Sequence, residues 1–276
     1  MLEAIFLGVL QGLTEFLPIS SSAHIRIAGA LFGTNQDPGA TFTAITQIGT
    51  ELAVLIYFRK DIQRILSAWL NQISRKNLQG GEVADARMGW LIIVGSLPII
   101  ALGYFGQDAI RSNFRSLWLI ALTLIIFGVI LGLADKFGKS ERQLQELTTS
   151  HGVLYGIAQS LALVPGVSRS GATIAMGRIL GYTREAALRY SFLLALPAVF
   201  GSGLYELKGA ISENSGTEVF SLGQTLLATS IAFIIGYAVI AWLLKYVTTK
   251  SFAPFIAYRI GLGSLLLVGL ATGIIS

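Results

Sequence analysis

Six stretches of this chain, near residues 41–58, 88–106, 117–134, 187–207, 222–244 and 253–275, are mainly apolar. Each is close to the ~20 residues that a helix needs to cross a bilayer. No other feature limits the fold as strongly. Charged residues make up 13% of the 276, well under the ~25% of soluble domains, so the chain cannot cover a globule with polar surface. The class this predicts is an all-α integral membrane protein, in which backbone polar groups are satisfied inside each helix.

The net charge of +5 does not mark a nucleic-acid partner, because the basic residues sit between the apolar runs. Connection 59–87 holds Arg59, Lys60, Arg64, Arg75, Lys76 and Arg87. Connection 135–150 holds Lys136, Lys139 and Arg142, and 245–252 holds Lys245 and Lys250. These three fall on one side of a six-span layout. The other side has 107–116 and 208–221, with Arg111, Arg115 and Lys208. Positive charge favours the cytoplasm, so the first side is expected there and both termini outside. Anionic lipid headgroups can use the same charges. The chain has no cysteine, which removes disulfides and thiolate metal sites. Its two histidines, His24 and His151, are too few for a histidine-rich metal centre. The opening Met1-Leu2-Glu3 lacks a basic leader region, so the first segment is expected to remain in the mature protein.

Two further apolar regions are interrupted midway: 2–33 by Pro18 and Ser20-Ser21-Ser22, and 152–181 by Pro165-Gly166 and Ser168-Arg169-Ser170. Each half is too short to cross, so each region reads as a re-entrant helix pair, tolerated only against protein or a polar cavity. At an offset of 148, Gly8 matches Gly156, Gln11 matches Gln159, Leu13 matches Leu161, Ser20 matches Ser168 and Ser22 matches Ser170. Three spans follow each broken region. An odd span count inverts the second copy, which gives an inverted-topology repeat. The expected organisation is repeat 1 over 1–134, a cytoplasmic connector over 135–150 and repeat 2 over 151–276.

The breaks carry the chemistry. In the first, Pro18 stops one half-helix and the serines can cap the next. Ser20 and His24 lie one turn apart and share a face, and Glu15 reaches the same point from the preceding half-helix. The second break, Pro165 to Thr173, adds Arg169, whose fork suits phosphate oxygens. Two inverted repeats would bring both helix starts together, and helix N-termini bind phosphate. The combined groups describe a diphosphate site. Plainer alternatives remain open from the residues alone. The serines could only cap, Glu15 could be a satisfied buried acid, and Arg169 could only pair with Glu15 or Glu51.

The run Gln11 to His24 (QGLTEFLPISSSAH) and the run Pro165 to Thr173 (PGVSRSGAT) resemble the two signature motifs of the undecaprenyl-diphosphate phosphatase family, the UppP/BacA type. The likeness covers nearly the whole chain and includes Phe192 to Pro197 and Tyr258-Arg259. It implies hydrolysis of a C55 polyprenyl diphosphate to the monophosphate, which recycles the lipid carrier of cell-wall synthesis. It also implies a bacterial inner-membrane location, an active site opening to the outer face, and bacitracin resistance on overproduction. A divalent metal, Mg²⁺ or Ca²⁺, is implied as cofactor, and Glu15, Ser21, His24 and Arg169 as catalytic or substrate-binding.

Gln11, Ser20, Ser22, Ser168, Ser170, Thr173 and Arg259 are further candidates for substrate contact, and Glu15 and Glu51 for the metal. Many relatives carry glutamate where this chain has Gln11. Glu51, at membrane depth, either restores that charge or pairs with a base such as Arg259. Ser21 is the expected nucleophile, activated by Glu15 or His24. Phosphorylation of His24 and direct attack by metal-bound water stay open. The rival reading is a polyprenyl-phosphate transporter or flippase, since inverted repeats with broken helices are also a transporter design. The partners expected are the lipid diphosphate and membrane lipids, with no nucleic acid. A homodimer is one arrangement the sequence allows.

Overall fold

The structure is a computed structural model and describes residues 1–31, 39–106, 116–212 and 219–275. Arg111, Arg115 and nearly all of connection 107–116 lie outside the described residues, as do 213–218 of the connection 208–221 and the last two residues of the region 2–33.

Eleven α-helices are described. They are α1 (Leu2–Thr14), α2 (Ser21–Leu31), α3 (Gly39–Tyr57), α4 (Arg59–Ile73), α5 (Glu82–Phe105), α6 (Leu117–Phe137), α7 (Thr149–Ser160), α8 (Arg169–Ile179), α9 (Arg184–Ser212), α10 (Leu222–Val247) and α11 (Ala253–Ala271). No strand is assigned among the described residues. Helices α5, α6, α9, α10 and α11 are long and apolar enough to cross a membrane, and the bent pair α3–α4 makes a sixth if taken as one span. The chain is therefore a multi-pass membrane protein. Prolines inside α5 (Pro98) and α9 (Pro197) do not end those helices, because packed neighbours in a membrane bundle can satisfy the freed carbonyls.

The polar connection 59–87 is not all loop. Its first half is the helix α4, turned 79° from α3. Its amphipathic composition was hidden in the sequence by a high density of charge.

Both interrupted regions are broken at the expected places. α1 stops at Thr14 and α2 starts at Ser21. α7 stops at Ser160, a 3₁₀ turn covers Leu161–Leu163, and α8 starts at Arg169. The leading half of each packs tightly on a long helix of the other half of the chain. Gly8 of α1 sits on Ala228 of α10, where an added Cβ would lie 2.6 Å from the Ala228 carbonyl oxygen. Gly156 of α7 sits on Gly95 of α5, where a Cβ would lie 2.5 Å from the Gly95 carbonyl oxygen. Close backbone approach at small residues is how helices associate where lipid offers no hydrophobic contrast. The core between them is aromatic, with Phe16 edge-on to Phe192 at 5.1 Å and Tyr155 edge-on to Tyr190 at 4.8 Å.

Candidate active site

The two breaks share one backbone device. Ser20 (φ 74°) and Ser168 (φ 70°), the equivalents at the offset of 148, are both in the left-handed region. A positive φ costs an ordinary residue on the order of 1–3 kcal/mol and persists only where its surroundings fix it. Here each serine caps the helix that follows. Ser168 Oγ accepts from the Gly171 N–H at 3.1 Å and lies 3.2 Å from Ser170 Oγ. Ser20 Oγ accepts from the Ala23 N–H at 3.4 Å and lies 3.2 Å from Ser22 Oγ.

The residue after each strained serine opens its helix, and these two residues are Ser21 and Arg169. They meet around one carboxylate. Glu15 Oε2 accepts from Ser21 Oγ at 2.5 Å and from Gln11 Nε2 at 2.8 Å. Glu15 Oε1 accepts from Arg169 Nη2 at 2.9 Å. The same Nη2 reaches Glu51 Oε1 at 2.7 Å, so one guanidinium bridges two buried carboxylates. Gln47 Nε2 approaches both Glu15 oxygens at 3.4 Å. Gln47 was not among the expected site residues. Its place one helical turn before Glu51 is the signal that could have found it.

Glu15, Ser20, Ser21, Ser22, Gln47, Ser168 and Arg169 line a cavity of about 510 Å³. Its other walls come from α5 (Ile99, Ile100, Gly103, Tyr104), the 3₁₀ turn (Ala162, Leu163) and α9, from Ala198 to Glu206. Most of that wall is apolar. The lining is thus mixed: acid, hydroxyl and guanidinium groups from the two breaks face a mainly apolar wall that also carries Tyr104, Ser202, Tyr205 and Glu206.

The family model described as "Bacitracin resistance protein BacA" matches residues 4–265. The chain belongs to the BacA family. It is 60% identical to Undecaprenyl-diphosphatase 2 of Agrobacterium fabrum, covering 100% of this chain and 97% of the relative. It is 59% identical to Undecaprenyl-diphosphatase of Clavibacter michiganensis, over 100% and 98%. A third relative, Undecaprenyl-diphosphatase of Micrococcus luteus, is 56% identical over 100% and 99%.

Not all the BacA motif residues reach the cavity. His24 is buried with both ring nitrogens engaged away from Ser21. Nδ1 lies 2.7 Å from the Ser20 carbonyl oxygen, which can only accept, so Nδ1 carries the proton. Nε2 lies 2.8 Å from Tyr258 Oη, from which the neutral imidazole accepts, and the two rings stack 5.5 Å apart. Ser170 Oγ donates to the Leu17 carbonyl at 3.1 Å, tying α8 to the first break. Thr173 is fully buried, donates to the Arg169 carbonyl at 2.8 Å and faces Ser191 Oγ at 2.6 Å. Gln11 is also fully buried behind Glu15.

Arg259 stands apart from the cavity too, and Glu51 does not pair with it. The guanidinium of Arg259 is 0% exposed and donates to four carbonyls: Leu124 at 3.0 Å, Pro18 at 3.1 Å, Gly166 at 2.8 Å and Val167 at 3.0 Å. Pro18 and Gly166 are equivalent at the offset of 148, so one side chain of the last helix holds both breaks. A lysine keeps the charge but is a point donor that cannot span those positions. Arg259→Lys is expected to lower stability by at least ~3 kcal/mol, since several charge-assisted hydrogen bonds are lost at once. Thermal unfolding in detergent checks this. An unchanged midpoint would mean that Arg259 does not clamp the breaks.

Proposed function

We propose that this chain hydrolyses undecaprenyl diphosphate to undecaprenyl phosphate and inorganic phosphate, recycling the lipid carrier used for cell-wall synthesis. Relatives named for that activity match the chain end to end. The observation that carries the chemistry is the 2.5 Å hydrogen bond from Ser21 Oγ to Glu15, beside Arg169, in a cavity whose remaining wall is mainly apolar. That polarity mirrors a substrate with a diphosphate head and a prenyl tail.

Glu15 is the proton acceptor best placed for Ser21, because His24 is turned to Ser20 and Tyr258. As Glu15 takes the proton, Ser21 Oγ bonds to the terminal phosphorus, and the bond from that phosphorus to the bridging oxygen breaks. Undecaprenyl phosphate leaves. Water then cleaves the phosphoserine, releasing inorganic phosphate and restoring the Ser21 hydroxyl. Arg169 neutralises charge on the phosphoryl oxygens, and the α2 and α8 N-termini direct their free N–H groups to the same place. The Nε donor of Arg169 is buried without a hydrogen-bond partner among the described residues.

A divalent cation fits these residues. Mg²⁺ and Ca²⁺ take hard oxygen donors, and Mg²⁺ is usually held by one or two carboxylates together with substrate phosphates. Glu51 Oε2 and Gln11 Oε1 are buried without a hydrogen-bond partner, next to the Glu15 and Arg169 network. Among the described residues no set of three acidic or histidine side chains forms a cage, so the substrate itself would complete the coordination. Glu15 and Glu51 would hold the ion, which when bound neutralises phosphate charge. In this reading Glu51 supplies the negative charge that Gln11 lacks.

The finer architecture is part of the same reading. The chain has six spans, α3 by itself being the one beyond the five long apolar helices, and two re-entrant pairs, arranged as inverted repeats 1–134 and 151–276 around the connector 135–150. The matched breaks, with their left-handed serines at equivalent positions, support it. In this reading the cavity opens toward the outer face of the inner membrane, while the basic connections 59–87, 135–150 and 245–252 lie on the cytoplasmic side. Ser21, Glu15, Glu51 and Arg169 all come from one chain.

The experiment is phosphate release from undecaprenyl and farnesyl diphosphates by the purified protein in detergent, with Mg²⁺ and with EDTA. Release that needs the metal is expected. A well-folded protein that releases no phosphate would overturn the reading and turn attention to lipid translocation in liposomes.

A further inference from the structure

Helix α4 takes no part in the site above, yet its surface is organised. A spanning helix tilts on average about 20° from the bilayer normal. α4 leaves α3 at 79°, so it runs close to the membrane plane. It has three faces. One packs on the bundle: Ile65 and Ala68 are buried, and Trp69 lies against Gly89 and edge-on to Trp90 at 5.5 Å. The next is an apolar stripe of Leu66, Leu70 and Ile73, spaced i, i+4, i+7 and exposed by 51%, 48% and 51%. The third is polar and exposed, with Lys60, Gln63 and Ser67.

A helix in water would not keep the stripe, and a helix in the hydrocarbon would not keep the polar face. Both are satisfied at the boundary, where an amphipathic helix buries one side in the acyl region and leaves the other in the headgroups. Independent support comes from Trp90, whose Nε1 donates to Gln72 Oε1 at 3.0 Å. Tryptophan with an apolar body and a satisfied polar edge belongs at headgroup level. The charge is complementary as well: exposed Arg59 and Lys60 begin the helix, and exposed Arg75 and Lys76 follow it. A second copy of the chain on the same stripe would bring like charges together at both ends.

We propose that α4 is an interfacial helix that docks on anionic lipid headgroups, with Leu66, Leu70 and Ile73 in the acyl boundary and the flanking cations on lipid phosphates. It lies outside the cavity and does not depend on the phosphatase reading.

The chain has no cysteine, so a single nitroxide can be placed on the full-length protein. Leu70→Cys and Ser67→Cys, both at exposed positions, are labelled separately. Each is reconstituted in phosphatidylcholine vesicles, with and without phosphatidylglycerol. The label at position 70 is expected to be relaxed several-fold more by oxygen than by a water-soluble nickel chelate, and the label at 67 the reverse. Phosphatidylglycerol is expected to enlarge the contrast. Replacing Arg59, Lys60, Arg75 and Lys76 by glutamine should remove that increment and leave the basic contrast between the two positions. Equal access of nickel to both labels would place α4 in water and overturn the proposal. Dipolar broadening at position 70 would put a second copy on the stripe, with the same consequence. A contrast indifferent to phosphatidylglycerol would remove the headgroup contact.

Discussion

Arg169→Ala is expected to abolish phosphate release and to loosen the fold in the same step. The guanidinium is the only ion-pair partner of both Glu15 and Glu51 among the described residues, at 2.9 and 2.7 Å. These two carboxylates are 3% and 0% exposed. Removing one partner from a buried pair costs about 3–5 kcal/mol, because an uncompensated charge remains. Two carboxylates then face each other. The apparent melting temperature in detergent should fall clearly, and the loss in kcat should be at least ~10³-fold, the scale for removing a transition-state cation. Arg169→Lys separates the two effects. It restores one positive charge and part of the stability, but a point donor cannot bridge two acids and grip phosphate together. A lysine variant with near wild-type kcat would show that the bridging geometry is not needed.

Ser21→Ala is expected to remove activity and leave the fold intact. Glu15 keeps Gln11, Gln47 and Arg169 as donors after the hydroxyl is lost, so no buried charge is stranded. A nucleophile has no substitute within its reaction, and its loss costs at least ~10³-fold in kcat. Melting should shift little, in contrast to Arg169→Ala. Rapid acid quench of the wild type during turnover should trap phosphate on Ser21. Label found on His24 instead, or full turnover by the alanine variant, would remove Ser21 from the nucleophile's place.

The two predictions concern equivalent positions. At the offset of 148, Ser21 of the first break matches Arg169 of the second, and Glu15 matches Leu163. The two halves of the chain carry different side chains at this matched position, a hydroxyl in the first and a guanidinium in the second. The strained serine before each residue is what both keep. The reason is geometric, since a sharp left-handed step aims the next helix start into the cavity whatever side chain stands there.

The spans were legible because a bilayer imposes a length and a polarity on any helix that crosses it. Residues 117–134 and 222–244 are read from hydropathy alone and recur as α6 and α10, each a few residues longer at its end. The breaks were legible for a related reason: proline and serine runs stop and cap helices locally. α4 was not, since fifteen residues of mixed charge and apolarity suit a loop as well as a helix until α5 offers a surface for Ile65 and Trp69.

The sequence by itself determined the membrane class, the two broken regions and the residue types gathered at them, because those follow from forces between near neighbours in the chain and the solvent. Only the tertiary structure decided who meets whom. Glu15, Glu51 and Arg169 are far apart in sequence, and their single bridged cluster exists because α1, α3 and α8 converge. The same packing turns His24 toward Tyr258 rather than Ser21, and sends Arg259 to hold both breaks instead of the cavity. A side chain's type is written in the sequence. Its partner depends on helix packing, which joins positions more than a hundred residues apart and leaves no periodic trace along the chain.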